Sequence, residues 1–377
     1  MPQAWDVTTG SSSVVVGVLD SGVDWEHTDL GLGNDLYQNI FLNNGEDVWA
    51  TVNDPTTGNG IDDDGNGFID DWKGWNYATN TNDTRTTNYH GTFIAGIISA
   101  KTHNGTGISG IAGGDNNTGV RILPYCVGIT GPLSSILDDA IIDAVDNGAD
   151  VIQLSLSVSS STAIDDAILY ATNNGVVVVC ASGNNYSSSV SYPASNPNVL
   201  AVGAIGTDDM RASFSNYGTN LDLVAPGVDI YSLDLNNGYR TGSGTSFAAP
   251  QVSAVIALLL SIDPNLAYSE IVEIICGTTQ KLGGYTYSTT TGKPHGTWNE
   301  HMGYGVLDAY GAVQTLICPT INFVNQTVTT NTTVNGCNIN VQNVNVQNNS
   351  KLTIDARNDA IINGPFEVQI GSELEIK

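Results

Sequence analysis

Basic residues are scarce in this chain. Eleven Lys and Arg stand against 38 Asp and Glu among 377 residues, leaving a net charge of −27. Such a surface repels phosphate backbones and anionic headgroups, so nucleic acid and acidic membranes are not expected partners. Cysteine is scarce too. The five are Cys126, Cys180, Cys276, Cys318 and Cys337, and none are spaced C-x-x-C. That spacing rule removes zinc-ribbon and thioredoxin-like readings. No run of about 18 apolar residues occurs, so no membrane span is expected. Met1-Pro2-Gln3 leads straight into Ala4-Trp5-Asp6 without the pattern of a signal peptide. The chain then reads as cytoplasmic or as a mature form without its leader.

Apolar residues are plentiful. They make up 41% of the chain, enough for a substantial core. The length suits one large domain and one small. SSVVVGVLD (12–20) is a continuous apolar strand ending on Asp20, and HGTFIAGIISA (90–100) is an apolar helix opening at His90. Further strands are expected at 120–127, 149–157, 176–185, 198–205 and 221–226. Helices are expected at 134–148, 161–175, from about 245 to 262, and near 267–277 and 307–317. Continuous apolar strands alternating with helices predict an α/β fold, a mostly parallel sheet covered on both faces.

Beyond residue 317 the character changes. Period-2 alternation, many Asn and Thr, and weakly repeated N-x-V steps predict a small all-β domain over 318–377. Cys126, Cys180 and Cys276 fall in apolar segments and read as core residues. Cys318 and Cys337 flank a polar β stretch, and a bridge between them is expected, which would point to an oxidising compartment.

GTSFAAP (244–250) stands between a polar run and the buried-helix run VSAVIALLLSI. Thr245 reads as the N-cap, with Pro250 near the first turn. Ser246 is then placed at a helix mouth, where unpaired N–H groups favour negative charge. That suits a nucleophile and equally an ordinary cap. Asp20 ends a strand and His90 opens a helix, and each alone has a dull explanation. Together they fit an orienting carboxylate, a general base and a nucleophile at the carboxyl ends of a parallel sheet.

Four segments carry a resemblance to the subtilisin-like serine peptidases. VLDSGVD (18–24), HGTFIAG (90–96) and GTSFAAP (244–250) are similar to the family's Asp, His and Ser motifs, in that order. ASGNN (181–185) is similar to the segment that holds the oxyanion asparagine. Phe93 stands where the family more often has His. Weaker likenesses are YPAS (192–195), SFSNYG (213–218), VAPG (224–227) and GYGVLDA (303–309), so the resemblance covers 1–317. It implies a serine endopeptidase with Asp20, His90 and Ser246 as the triad and Asn184 as an oxyanion donor. It further implies that Ser155, Leu156 and Ser157 form an edge strand for an extended polypeptide substrate, with Ala181, Ser182 and Gly183 lining the adjacent pocket. Ser157 replaces the family's usual Gly, and its side chain is expected to narrow that pocket. A secreted monomer is expected. The reading from another class is a catalytically silent relative whose β tail binds a surface.

Five carboxylates crowd into IDDDGNGFIDD (61–71), with Asp54 just upstream. Asp62, Asp64 and Asn66 match positions 1, 3 and 5 of an EF-hand-type loop. Gly67 takes the sharp turn and Phe68 offers its carbonyl. Lys73 occupies the place of the usual Glu, so Asp70 or Asp71 must complete the shell. A structural calcium ion is expected here, and the stretch also resembles an acidic insertion of bacterial subtilisin-like peptidases. Many relatives hold another ion near the positions of Gln3, Asp29 and the 101–108 loop, a loop that departs here in length and ligand type.

Overall fold

The computed structural model describes residues 1–31, 39–115, 119–317 and 320–377. The chain divides into two compact units, Met1–Gln314 and Thr315–Lys377. The expected Cys318–Cys337 bridge lies outside the described residues.

The first unit opens with a short helix, α1 (Pro2–Trp5), and strand β1 (Val15–Asp20). It continues through β2 (Trp75–Asn76), α2 (His90–Ser99), β3 (Arg121–Cys126), α3 (Leu137–Asp146), β4 (Val151–Leu154) and α4 (Thr162–Asn173). Then come β5 (Val177–Ala181), β6 (Val199–Ile205), β7 (Leu223–Pro226), β8 (Ile230–Asp234) and β9 (Gly238–Gly242). Helices α5 (Thr245–Ile262), α6 (Tyr268–Gly277) and α7 (Ala309–Gln314) complete it. Seven strands form one parallel sheet in the order β2-β3-β1-β4-β5-β6-β7. Helices α3 and α4 pack together, as do α2 and α5. Val15 and Leu19 of β1 share a buried cluster with Leu137, Ile141, Ile164 and Ile168 of α3 and α4. Burial on both faces is why these strands are apolar without alternation.

The sheet order reverses at β1. β3 lies on one side of it and β4 on the other, so a crevice opens at the carboxyl end of β1. Asp20 is the residue there. The antiparallel pair β8–β9 was not foreseen, because both strands are only five residues long and β9 (GYRTG) carries no apolar pattern.

Helix α5 departs from expectation at its start. It is long and apolar enough to cross a membrane by length and composition, although Thr, Ser, Pro and Gln interrupt its sequence. Nearly every residue from Thr245 to Leu260 is buried in the fold, as in a core helix. Its N-cap is Gly244 and not Thr245, and Pro250 sits inside the helix. Cys126, Cys180 and Cys276 are free and buried. Burial pushes the Cys126 thiol up to about 11 and that of Cys180 up to about 12, so both stay protonated and inert near neutrality.

The long β1–α2 connection is pinned by an unusual core. Lys73 is wholly buried, its ammonium 4.0 Å from the Trp25 ring centroid and 4.8 Å from those of Trp49 and Trp72. It also donates to the Val52 carbonyl. Three indole faces supply the electron density that makes a desolvated cation tolerable. Burial still pulls its pKa down to about 7.

The second unit holds β10 (Thr320–Val324), β11 (Thr327–Val328), β12 (Thr332–Val346), β13 (Lys351–Val368) and β14 (Glu373–Ile376). All of its pairings are parallel. Ile321 lies beside Ile339, Val334 beside Ile354 and Leu352 beside Leu374, so successive rungs are 18 to 22 residues apart. The chain therefore winds as a coil of stacked rungs. Val334, Ile339, Val341, Val344, Val346, Leu352 and Ile354 fill its interior. Asn340 Nδ2 donates to Asn322 Oδ1 at 3.1 Å, and Asn343 Nδ2 to Asn325 Oδ1 at 2.8 Å. The alternating Asn and Val of this stretch are thus an outward asparagine ladder and an inward valine row.

Candidate active site

Asp20 leaves the sheet at the switch point and is 6% exposed. Its Oδ1 lies 2.8 Å from His90 Nδ1 and accepts the Ser21 N–H at 2.7 Å. Helix α2 begins at His90 and comes very close to the β1 exit. A Cβ on Gly91 would stand 2.2 Å from the Gly22 carbonyl oxygen, which explains a glycine directly after the histidine. Asn88 Oδ1 accepts the His90 N–H at 3.0 Å, while Asn88 Nδ2 donates to the Ile129 carbonyl at 2.7 Å. Burial opposes a charge on His90, but the Asp20 charge and hydrogen bond outweigh it, so its pKa is raised. One quarter of the imidazole remains exposed.

Ser246 is the second residue of α5. Its N–H lies in the first turn, where intrahelical acceptors are absent. Its Oγ is 3.4 Å from the Ser155 carbonyl oxygen. Thr245 is buried, and its hydroxyl does not cap the helix. Thr245 N–H and Oγ1–H both donate to Asn184 Oδ1, at 2.9 Å each. The Asn184 acceptor is thereby occupied, and the residue is exposed.

Pro250 has a consequence one turn back. It has no N–H, so the Ser246 carbonyl loses its ordinary helical donor. Ser155 Oγ supplies the missing donor at 2.8 Å. Gln153 Nε2 donates to Ser155 Oγ at 2.9 Å, and Ser253 Oγ donates to Gln153 Oε1 at 2.6 Å. Gln153 and Ser253 are fully buried. This polar chain ties β4 to the floor of the Ser246 turn. Gln153→Leu is expected to cost about 1–3 kcal/mol, because Ser253 is left without its acceptor inside the core. Thermal melting checks this, and Ser253→Ala added to it should recover part of the loss. An unchanged melting temperature in the single variant would refute the account.

Residues 155–157 lie past the end of β4 and, among the described residues, join no ladder. Ser155 is buried and Ser157 exposed, with Leu156 between. Ala181 ends β5. Ser182 is buried with its Oγ on the Asn216 carbonyl at 3.2 Å, and Gly183 N–H donates to Thr245 Oγ1 at 3.2 Å. Asp20, His90, Ser155 and Leu156 line one cleft of about 140 Å³ together with Gly128 and Thr130. The sequence reading missed that opposite wall. Its signal was the glycine-bearing GITG (128–131) at the carboxyl end of β3. Larger hollows exist around Asp222 and Lys293 and around Asp64 and Asp143, but neither is lined by Asp20, His90 or Ser246.

The acidic insertion is arranged differently from an EF-hand loop. Carboxylate oxygens of Glu46, Asp64 and Asp71 lie within 4.8 Å of one another. Asn66 Nδ2 reaches Asp71 Oδ2 at 3.2 Å, and Asn43 Nδ2 reaches Asp64 Oδ2 and Asp71 Oδ1 at 2.9 Å each. Asp62 accepts from Gly65 N and Gly67 N, and Asp70 accepts from Gly60 N. The Phe68 ring packs on Trp75 and Tyr77. Glu46 was not foreseen as a partner. Burial, first of all, pushes Asp71 up to about 7, and burial also raises Glu46. At the further expected site, Asp29 is satisfied by protein donors, Asn104 Nδ2 at 2.6 Å and Ile108 N at 2.9 Å. Gln3 is exposed.

Comparison with known proteins shows the family. The model of the Subtilase family matches residues 11–305. A thermophilic serine proteinase of Bacillus sp. (strain AK1) is 40% identical over 82% of this chain and 64% of its own length. Halolysin of Haloferax mediterranei is 38% identical over 74% of this chain and 47% of its own. An extracellular basic protease of Dichelobacter nodosus is 33% identical over 84% of this chain and 53% of its own. The chain thus spans about half to two thirds of the length of these relatives. With the motifs, the sheet order and the family match in agreement, the chain belongs to the subtilase family.

Proposed function

We propose that the protein is a secreted serine endopeptidase that cleaves polypeptides through an acyl-enzyme. The Asp20–His90 contact of 2.8 Å at the sheet's switch point carries this reading. Ser246 Oγ attacks the scissile carbonyl. His90 takes the proton and returns it to the leaving amine, while Asp20 holds the tautomer and stabilises the imidazolium. An extended substrate adds to residues 155–157 and faces the 128–131 wall. Ala181, Ser182 and Gly183 flank its primary pocket, and Ser157 narrows it. Because His90 must be neutral to act, its raised pKa places the acid limb of activity above the ordinary histidine range. Hydrolysis of casein or a chromogenic peptide, abolished by a serine-directed reagent, tests the proposal. A folded chain without such activity would instead support a silent relative that binds through its β tail. Secretion is supported by the relative named an extracellular protease. Assay of the culture fluid of an expressing cell checks it.

The same reading includes a structural calcium ion. Glu46 Oε2 is buried without a hydrogen-bond partner, so the carboxylate cluster has an oxygen that a cation would satisfy. Glu46, Asp64 and Asp71 would hold it with oxygen donors suited to a hard cation, and it would fix the β1–α2 connection. Of the ligands expected from sequence, Asp62 and Asp70 also accept loop N–H groups, which leaves each carboxylate lone pairs for a cation. Chelation is expected to lower the melting temperature and speed autolysis. An ion at a hundred times its Kd contributes about 2.7 kcal/mol. Asp71→Asn should abolish the response to calcium. Unchanged melting in EDTA, with no calcium by elemental analysis, would dismiss the site.

A further inference from the structure

Apart from the sheet core, Phe93, Ile97 and Phe247 form a small buried cluster where α2 and α5 begin. The Phe93 and Phe247 ring centroids are 4.2 Å apart. Phe247 also lies 5.6 Å from the His90 ring at 46°, and Tyr89 lies 6.3 Å from it at 69°. Phe93 is one helical turn after His90, and Phe247 directly follows Ser246. The stack therefore joins the two helix mouths at the point where the base and the nucleophile must meet.

The Phe247 ring has little freedom. Phe93 covers one side, and a Cβ on Gly242 would stand 2.6 Å from the ring, so β9 is bare there to admit it. Phe93 is 0% and Phe247 4% exposed. Asp20 grips only one edge of the imidazole, at Nδ1. A single hydrogen bond at that atom leaves the ring free to swing, and the neighbouring rings of Phe247 and Tyr89 must restrict it.

We propose that Phe93 and Phe247 are positioning residues for the general base: the tilted Phe247 ring, backed by Phe93, sets the plane of the His90 imidazole and keeps water from that side of it. This rests on the Asp20–His90–Ser246 reading. The titratable groups in contact with His90 are Asp20 from β1 and Tyr89 before α2. Cys126 stands beside Asp20 on β3. Arg240 of β9 lies over the Tyr89 ring with its guanidinium carbon 3.5 Å from the centroid.

The test uses Phe247→Leu, Phe247→Met and Phe93→Leu in the full chain, each shown by circular dichroism and melting to be folded. A misplaced base should lower kcat about 10- to 100-fold while KM stays within about twofold. The acid limb of kcat/KM should move to higher pH. Water at the ring relieves the burial that opposes imidazolium, while the Asp20 attraction remains. Phe247→Tyr, which restores an aromatic face, should recover most of kcat. Folded Leu and Met variants with unchanged kcat and acid limb would overturn the proposal. So would a raised KM at constant kcat, which would make the ring a substrate wall. The His90 titration, followed by NMR in Ser246→Ala and in its Phe247→Leu double variant, reads the same shift without turnover. An unshifted titration would likewise overturn the proposal. Failure of the triad reading and failure of the stack are thereby distinguished.

Discussion

Ser246→Ala is expected to abolish turnover, lowering kcat by about 10⁶-fold with little change in KM. That magnitude is the one measured in subtilisin itself and is carried over to this relative. The direction follows from the geometry. Without Oγ no acyl-enzyme forms, and water must attack unaided. The fold should not suffer, because Ser246 is half-buried and its Oγ makes only a 3.4 Å contact with the Ser155 carbonyl. His90→Ala should cost about as much, and the double variant hardly more, since the base has nothing to act on once the nucleophile is gone. Steady-state kinetics on one chromogenic peptide measures all three. Near-normal turnover in Ser246→Ala would remove the serine mechanism altogether. Additive losses in the double variant would show that the two residues act separately.

The site was legible where its chemistry is compressed into short segments. Asp20 closes an apolar strand, His90 and Ser246 open apolar helices, and each motif states its own local geometry. The parallel sheet was legible for the same reason, since continuous apolar strands have no solvent face to encode. What escaped notice depends on contacts between distant segments. Glu46 joins Asp64 and Asp71 from outside the loop, and no spacing within IDDDGNGFIDD announces it. Thr245 looked like a cap because its type and position fit one, yet its hydroxyl serves Asn184. Pro250 was expected near the first turn but lies inside α5, and that it frees a carbonyl for Ser155 depends on β4 lying alongside. In the tail, period-2 alternation announced strands. Their parallel coiling needed the 18-to-22-residue offset, which only the N-x-V steps hinted at.

Asn184→Ala is expected to leave folding and KM nearly intact and to lower kcat by ~10²–10³, about 2.7–4 kcal/mol of transition-state stabilisation. This range too comes from subtilisin. The ground-state carbonyl needs little help, whereas the tetrahedral intermediate puts a full negative charge on its oxygen. On the proposed mechanism two donors would meet it, Asn184 Nδ2–H and the Ser246 N–H at the head of α5, where the helix dipole would add to them. The asparagine is useful only if its amide faces the right way. Thr245 enforces that orientation, because two donors at 2.9 Å hold Oδ1 and leave Nδ2 for the substrate. Thr245→Val should therefore lower kcat as well, by less than Asn184→Ala, since the backbone N–H of residue 245 still restrains the amide. Combined with Asn184→Ala it should add almost nothing, for there is then no amide left to orient. Kinetics of the two single variants and the double variant decide this. If Thr245→Val lowers kcat equally with and without Asn184, the threonine acts on the helix and not through the amide. If Asn184→Ala raises KM at constant kcat, the side chain binds substrate in the ground state and the oxyanion rests on Ser246 N–H alone.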